Sequence, residues 1–268
     1  MNWKVFFDRL GMNGTWWQWR ILQWQERMQT ESFWSACAVF CPAWLTTTTV
    51  LLALNGINLL VALALFGIDN LFRPNPWMLY RMGALDPALF LHGEYWRIVT
   101  YGFLHIGILH IAFNMLALSQ VGPALERQVG GARVFCVYML ALLGGGLADV
   151  LVRGSVSMLI AGASGALFGL IGFGMSFAHF YGGEAGRAQR NFFLQWAIYG
   201  FVFGLLVRAD NICHLGGFIT GAICGYFIER ERGRAERFAP AWRSLAVIFV
   251  LLVIVAFGWM LRANLRAG

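Results

Sequence analysis

Apolar residues run along this chain in long blocks, not in the short alternating stretches of a soluble sheet. A bilayer span takes ~20 helical residues, and seven blocks approach that length: roughly 47–67, 99–121, 133–152, 158–180, 192–208, 211–228 and 244–262. The fifth and sixth are short and are separated only by a turn around Arg208 to Asn211. The first and second are joined by a long connection, about 68–98, broken by Pro74, Pro76 and Pro87. That connection carries Trp77, Tyr80, Phe90 and Trp96. Aromatic rings settle at the membrane–water interface, so it is predicted to lie along that interface. Residues 1–45 hold seven of the chain's 12 Trp and are predicted to form interfacial helices with Arg anchors.

Composition agrees with a membrane solvent. Of 268 residues, 59% are hydrophobic and 12% charged, and the mean hydropathy is +0.63. A soluble domain carries about 25% charged residues, so there are too few charges here to coat a water-soluble globule. A cytosolic enzyme, a disordered chain and a nucleic-acid-binding module are set aside on that ground. The fold expected is an all-α polytopic membrane protein, with six core helices at 46–229, a basic cytoplasmic loop at 230–243, and a seventh transmembrane helix with a short tail at 244–268. The net charge of +7 lies between the apolar blocks, where it reports topology. Thirteen Lys and Arg fall on the side of the N-terminus and seven on the other, which predicts a cytoplasmic N-terminus and an outward C-terminus. Cys37, Cys41, Cys136, Cys213 and Cys224 form no disulfide pattern and no zinc set, so neither a metal nor another cofactor is expected. No cleavable signal peptide is visible, since Asp8, Glu26 and Glu31 interrupt the first stretch. Use of Arg over Lys points to a bacterial inner (plasma) membrane.

Ionisable residues inside a bilayer are costly and are functional candidates by default. Three clusters stand out. The second span holds His105, His110 and Asn114 in GFLHIGILHIAFN, the fourth holds Ser164 in AGASGALFG, and the sixth opens with His214 in NICHLGGFITGAICG. With the N-terminus inside, all three spans enter from the outer face. Ser164 is then expected about two turns into its helix and His214 about one. Gly217, Gly221 and Gly225 fall within roughly 60° of His214 on a helical wheel, and small residues let membrane helices approach closely. A partner helix carrying Gly162, Gly165, Gly169 and Gly172 would bring Ser164 against His214. A serine hydroxyl needs a base to become a nucleophile, and a neutral imidazole is one. The oxyanion formed on attack needs donors already aimed at it. His110 and Asn114, one turn apart, and the backbone N–H groups at a helix start could supply them. Asp210 reads better as a helix cap than as a third triad member, and His105 as a group bonded to a neighbouring loop.

Taken together, Trp96-Arg97 in the long connection, HIGILHIAFN, GASGALFGL and CHLGG resemble the rhomboid intramembrane serine proteases over roughly residues 50–228. The resemblance implies a six-plus-one helix arrangement, with Ser164 as nucleophile and His214 as general base. It implies His110, Asn114 and the Ser164 backbone N–H as the oxyanion hole. It gives His105, Trp96, Arg97 and Glu126, the last in GPALERQVG, structural roles. Two positions depart from the family's pattern: Phe168 stands where many members have a Tyr stacked on the histidine, and Cys213 where Ala is common. The function implied is an endopeptidase that cuts transmembrane protein substrates in the lipid bilayer near its outer face. A silent rhomboid-like protein that only holds client helices would be expected to lack Ser or His, and both are present. A proton-relay transporter would carry acids deep in its spans, whereas Asp149 and Asp210 lie near helix ends.

Overall fold

A computed structural model describes residues 3–9, 14–30, 45–207 and 209–266. The chain divides into two units, Met1–Thr46 and Thr47–Gly268. In the first, α1 (Trp3–Arg9) and α2 (Gly14–Thr30) bring rings together, with Phe7 stacked on Trp17 at 4.9 Å. Trp34, Trp44, Cys37, Cys41 and Arg208, all used in the sequence reading, lie outside the described residues.

The second unit is an all-α polytopic membrane fold. Its elements are α3 (Thr47–Phe66), three short helices α4 (Pro76–Arg81), α5 (Pro87–Leu91) and α6 (Arg97–Thr100), then α7 (Ile108–Val129), α8 (Gly131–Arg153), α9 (Ser164–Tyr181), α10 (Gly183–Val207), α11 (Asn211–Arg230) and α12 (Ala235–Arg266). Among the described residues five helices are long and apolar enough to cross a membrane: α3, α7, α8, α11 and α12. Helix α9 is the shortest of the long core helices, with 18 residues. It is also largely enclosed by other helices, so it has little need to match lipid. Helix α10 opens with Glu184, Arg187 and Arg190, which extend it beyond the apolar block.

Several expected boundaries move. The second span was expected at 99–121, but α7 begins at Ile108. Gly107 at φ 80 ends the preceding irregular stretch, so His105 lies before the helix and not within it. The fourth span was expected from 158, but residues up to Ala163 are not helical, and Ser164 is the first helical residue instead of lying two turns in. The reason is a tether: Leu85 and Ile160 exchange both backbone hydrogen bonds at 2.8 Å, and Gly162 N–H donates to Tyr101 O at 3.0 Å. The fifth helix starts at Gly183, not 192, and the seventh covers Ala235–Arg266, not 244–262. Most of the stretch 230–243 expected as a loop is therefore helical.

Helices α9 and α11 form the tightest contact. A Cβ on Gly217 would strike the Gly165 carbonyl, one on Gly221 the Gly169 carbonyl, and one on Gly172 the Phe218 carbonyl. Helix α8 backs both, with Gly145 against Cys213 and Gly144 against Thr220. At the far end of α7, Glu126 accepts hydrogen bonds from Thr47 N (2.6 Å), Thr48 N (3.1 Å) and Thr48 Oγ1 (2.8 Å). The carboxylate thus caps the open N-terminus of α3 from another helix, where negative charge is favoured.

The long connection is built around one buried cation. Arg97, 1% exposed, donates from Nε to Glu94 (2.6 Å) and from Nη1 to the carbonyls of Tyr80 (3.0 Å) and Ala84 (2.8 Å). Its guanidinium carbon lies 4.4 Å from the Trp96 ring centre and 4.6 Å from that of Tyr80. These contacts compensate the charge for lost water and fold the connection against α6.

Candidate active site

Three helices present their N-terminal ends to one place. His110 is the third residue of α7, Ser164 the first of α9 and His214 the fourth of α11. Helix α11 starts where it does because Asp210 caps it: Oδ1 accepts from Ile212 N (3.0 Å) and Cys213 N (3.3 Å), and Oδ2 from Arg153 Nη2 (2.6 Å). Asp210 is therefore a cap and not a partner of the imidazole.

The Ser164 hydroxyl lies 2.7 Å from His214 Nε2. Phe168, one turn on from Ser164, stacks on the imidazole with ring centres 4.3 Å apart and planes 18° from parallel. A ring face so placed attracts a positive imidazole. His214 Nδ1 is buried and has no hydrogen-bond partner among the described residues. Serine and histidine thus form a pair without an acid.

Beside them is a space shaped by a missing side chain. Gly162 sits at φ 138, and a Cβ built on it would lie 2.8 Å from His110 Nε2 and 3.6 Å from Ser164 Oγ. Ile106 N–H donates to His110 Nδ1 at 3.3 Å, so the neutral ring carries its proton on Nε2, facing this space. Helix α9 has no side-chain cap, which leaves the first-turn N–H groups and the helix's partial positive charge at the same spot. Asn114 Nδ2 donates to His110 O at 2.9 Å, which engages one of its two amide protons. The whole arrangement borders a cavity of about 480 Å³ lined also by Trp196 and Phe203. Among the described residues no cluster of three or more His, Cys, Asp or Glu is set to hold a metal ion.

The other sequence candidates do not all lie at this centre. His105 is buried, with its ring edge-on to His110 at 5.3 Å. Neither of its ring nitrogens has a partner in good hydrogen-bond geometry among the described residues. Trp96, Arg97 and Glu126 belong to the scaffold, not to the cavity. Cys213 fills the space left by Gly145 and Gly165, with its sulfur 3.5 Å from the Tyr101 hydroxyl. Sequence reasoning passed over Tyr101, whose hydroxyl donates to Leu142 O at 2.6 Å while its carbonyl holds Gly162. It counted Arg153 only as a topology charge, though that guanidinium also binds Asp149 at 2.9 Å.

Comparison with known proteins points the same way. The family model for the Rhomboid domain matches residues 92–231. RHOMBOID-like protein 1 of Arabidopsis thaliana is 34% identical over 204 residues, covering 66% of this chain and 48% of its own. Rhomboid protease GluP of Bacillus subtilis is 32% identical over 246 residues, covering 88% of this chain and 44% of its own. Rhomboid protease GlpG of Klebsiella pneumoniae is 28% identical over 181 residues, covering 66% of this chain and 63% of its own. The chain spans about half the length of the first two of these relatives.

Proposed function

This chain belongs to the rhomboid family of integral membrane proteins, and we propose that it is a serine endopeptidase that cleaves transmembrane protein substrates within the bilayer, near its outer face. The observation that carries the reading is the 2.7 Å contact of Ser164 Oγ with His214 Nε2 in the lining of a cavity. Two relatives, GluP and GlpG, are named as rhomboid proteases.

In the proposed reaction His214 Nε2 takes the Ser164 proton as Oγ attacks the substrate carbonyl carbon. The carbonyl oxygen, now negative, moves into the space above Gly162. There it accepts hydrogen bonds from His110 Nε2, the Ser164 N–H and the remaining proton of Asn114 Nδ2. Such donors act most strongly where water is excluded. The intermediate collapses, the C–N bond breaks, and the His214 proton passes to the leaving amine. Water then attacks the acyl-enzyme, again with His214 as base, and releases the acid product and free Ser164. Phe168 stabilises the imidazolium in both halves of the cycle in place of a carboxylate. The excess of positive residues on the N-terminal side supports an outward-opening site.

A serine-directed fluorophosphonate probe tests the reading directly. The purified protein in detergent should be labelled and should cut a transmembrane reporter, and Ser164→Ala should do neither. Cleavage by Ser164→Ala at the wild-type rate would remove Ser164 as nucleophile.

A further inference from the structure

The seventh helix, α12, lies beyond the residues matched by the family model, as does Arg81 of α4. Yet the two are joined by a reciprocal pair of hydrogen bonds. Asn264 Nδ2 donates to Arg81 O at 2.8 Å, and Arg81 Nη2 donates to Asn264 O at 3.3 Å. One turn before Asn264, Met260 is buried, and its sulfur lies 3.0 Å from where a Cβ on Gly83 would sit. Phe257 meets Phe103 edge-on at 5.9 Å.

What this helix end touches leads in a few steps to the nucleophile. Gly83 O accepts from Thr100 Oγ1 at 2.7 Å, and Ala84 O from Arg97 Nη1 at 2.8 Å. The next residue, Leu85, exchanges its two backbone bonds with Ile160. Gly162 is then fixed to Tyr101 O, and Ser164 begins α9 two residues later. Residues 83–85 thus pack against both α12, through Met260 on Gly83, and α6, through Thr100 and Arg97. They in turn hold the strand-like segment that sets both the Gly162 space and the Ser164 backbone.

We infer that α12 is a positioning element for the active site and that Asn264, through Arg81, is its positioning residue. The inference rests on the protease reading for its activity readout alone. Cutting the Asn264–Arg81 bonds loosens residues 158–163, of which Met158 to Gly162 line the cavity beside Ser164. Turnover therefore falls.

The test uses the full chain in detergent, with Asn264→Ala, Arg81→Ala and the double variant. Amide hydrogen exchange of residues 158–163 should speed up in Asn264→Ala, while amides at the distant Thr47–Glu126 contact stay as in wild type. Turnover should fall on the order of 10-fold, short of the ~10²-fold that a full ångström of misplacement costs. The double variant should be no worse than the singles, because residues in one network are not additive. Wild-type exchange at 158–163 in Asn264→Ala would overturn the inference, as would faster exchange throughout the chain, which marks a general stabilising role. If the local exchange change appears but wild-type protein neither cleaves nor takes the probe, the coupling stands and the protease reading falls.

Discussion

Ser164 meets His214 because Gly217, one turn after the histidine, rests directly on the backbone of Gly165, the serine's neighbour. The Ser164–His214 distance is therefore set by helix packing, not by a flexible loop. A methyl group at Gly217 has nowhere to go except by moving α9 from α11. Gly217→Ala should destabilise the protein by about 1–3 kcal/mol, as overpacking does, and should lower turnover far more than that loss of fold explains. Ser164→Ala should abolish turnover with no change in thermal unfolding. Measuring rate and unfolding temperature for both variants separates geometry from chemistry; a fully active Gly217→Ala protein would contradict the first claim.

Glu126 offers a test of the scaffold alone. Its carboxylate satisfies three donors at the start of α3, and each buried donor left unmatched costs ~1–3 kcal/mol. The site is partly buried, so Glu126→Ala should cost about 1–3 kcal/mol in total. Turnover well below the melting temperature should persist, since the contact sits at the opposite end of α7 from His110. Thermal unfolding in detergent checks the first point and cleavage at low temperature the second.

Arg97→Lys is conservative in charge only. The guanidinium serves Glu94, Tyr80 O and Ala84 O at once and stacks between two rings. An ammonium on a flexible stem cannot reproduce that fork. The substitution should destabilise by about 1–3 kcal/mol and should make the connection between α3 and α7 more open to added protease. Unchanged resistance to limited proteolysis would mean the connection is held by other contacts.

The apolar blocks and the glycine stripe make the bundle and the approach of Ser164 to His214 legible in the sequence. Burial in lipid demands long apolar helices, and close packing demands Gly217 and Gly221, so both leave a pattern in the residues. Helix starts were less legible. Residues 158–163 are as apolar as a span, and long-range contacts keep them extended: the Leu85–Ile160 bridge, 75 positions apart in the chain, and the bond from Gly162 to Tyr101 O. His105 read as helical for the same reason, since Gly107 breaks the helix through its backbone angle and not through its polarity. The Asp210 cap was legible because a cap is a local rule. The Arg153 bridge to it was not, because nothing local ties residues 57 apart.

The last prediction concerns the space above Gly162. If the oxyanion forms there, filling it should stop the reaction while the nucleophile and base remain in contact. Gly162→Ala does this twice over. Its Cβ would lie 2.8 Å from His110 Nε2, in the place the oxygen needs, and its φ of 138 strains any residue with a side chain. The donors themselves should rank. His110 Nε2 faces the space with its only ring proton, whereas Asn114 already spends one amide proton on His110 O. His110→Ala should therefore cost at least as much as Asn114→Ala, and a principal donor's loss lowers turnover ~10²–10³-fold. KM should move little for either, because the ground-state carbonyl needs these donors less than the transition state does. His105→Ala should instead act through stability, lowering the unfolding temperature along with activity, because its buried ring supports His110 from behind. Rates, KM and unfolding temperatures for the four variants in one detergent decide the matter. Full turnover in Gly162→Ala, or losses that track unfolding alone in His110→Ala and Asn114→Ala, would move the oxyanion elsewhere even with Ser164 and His214 established.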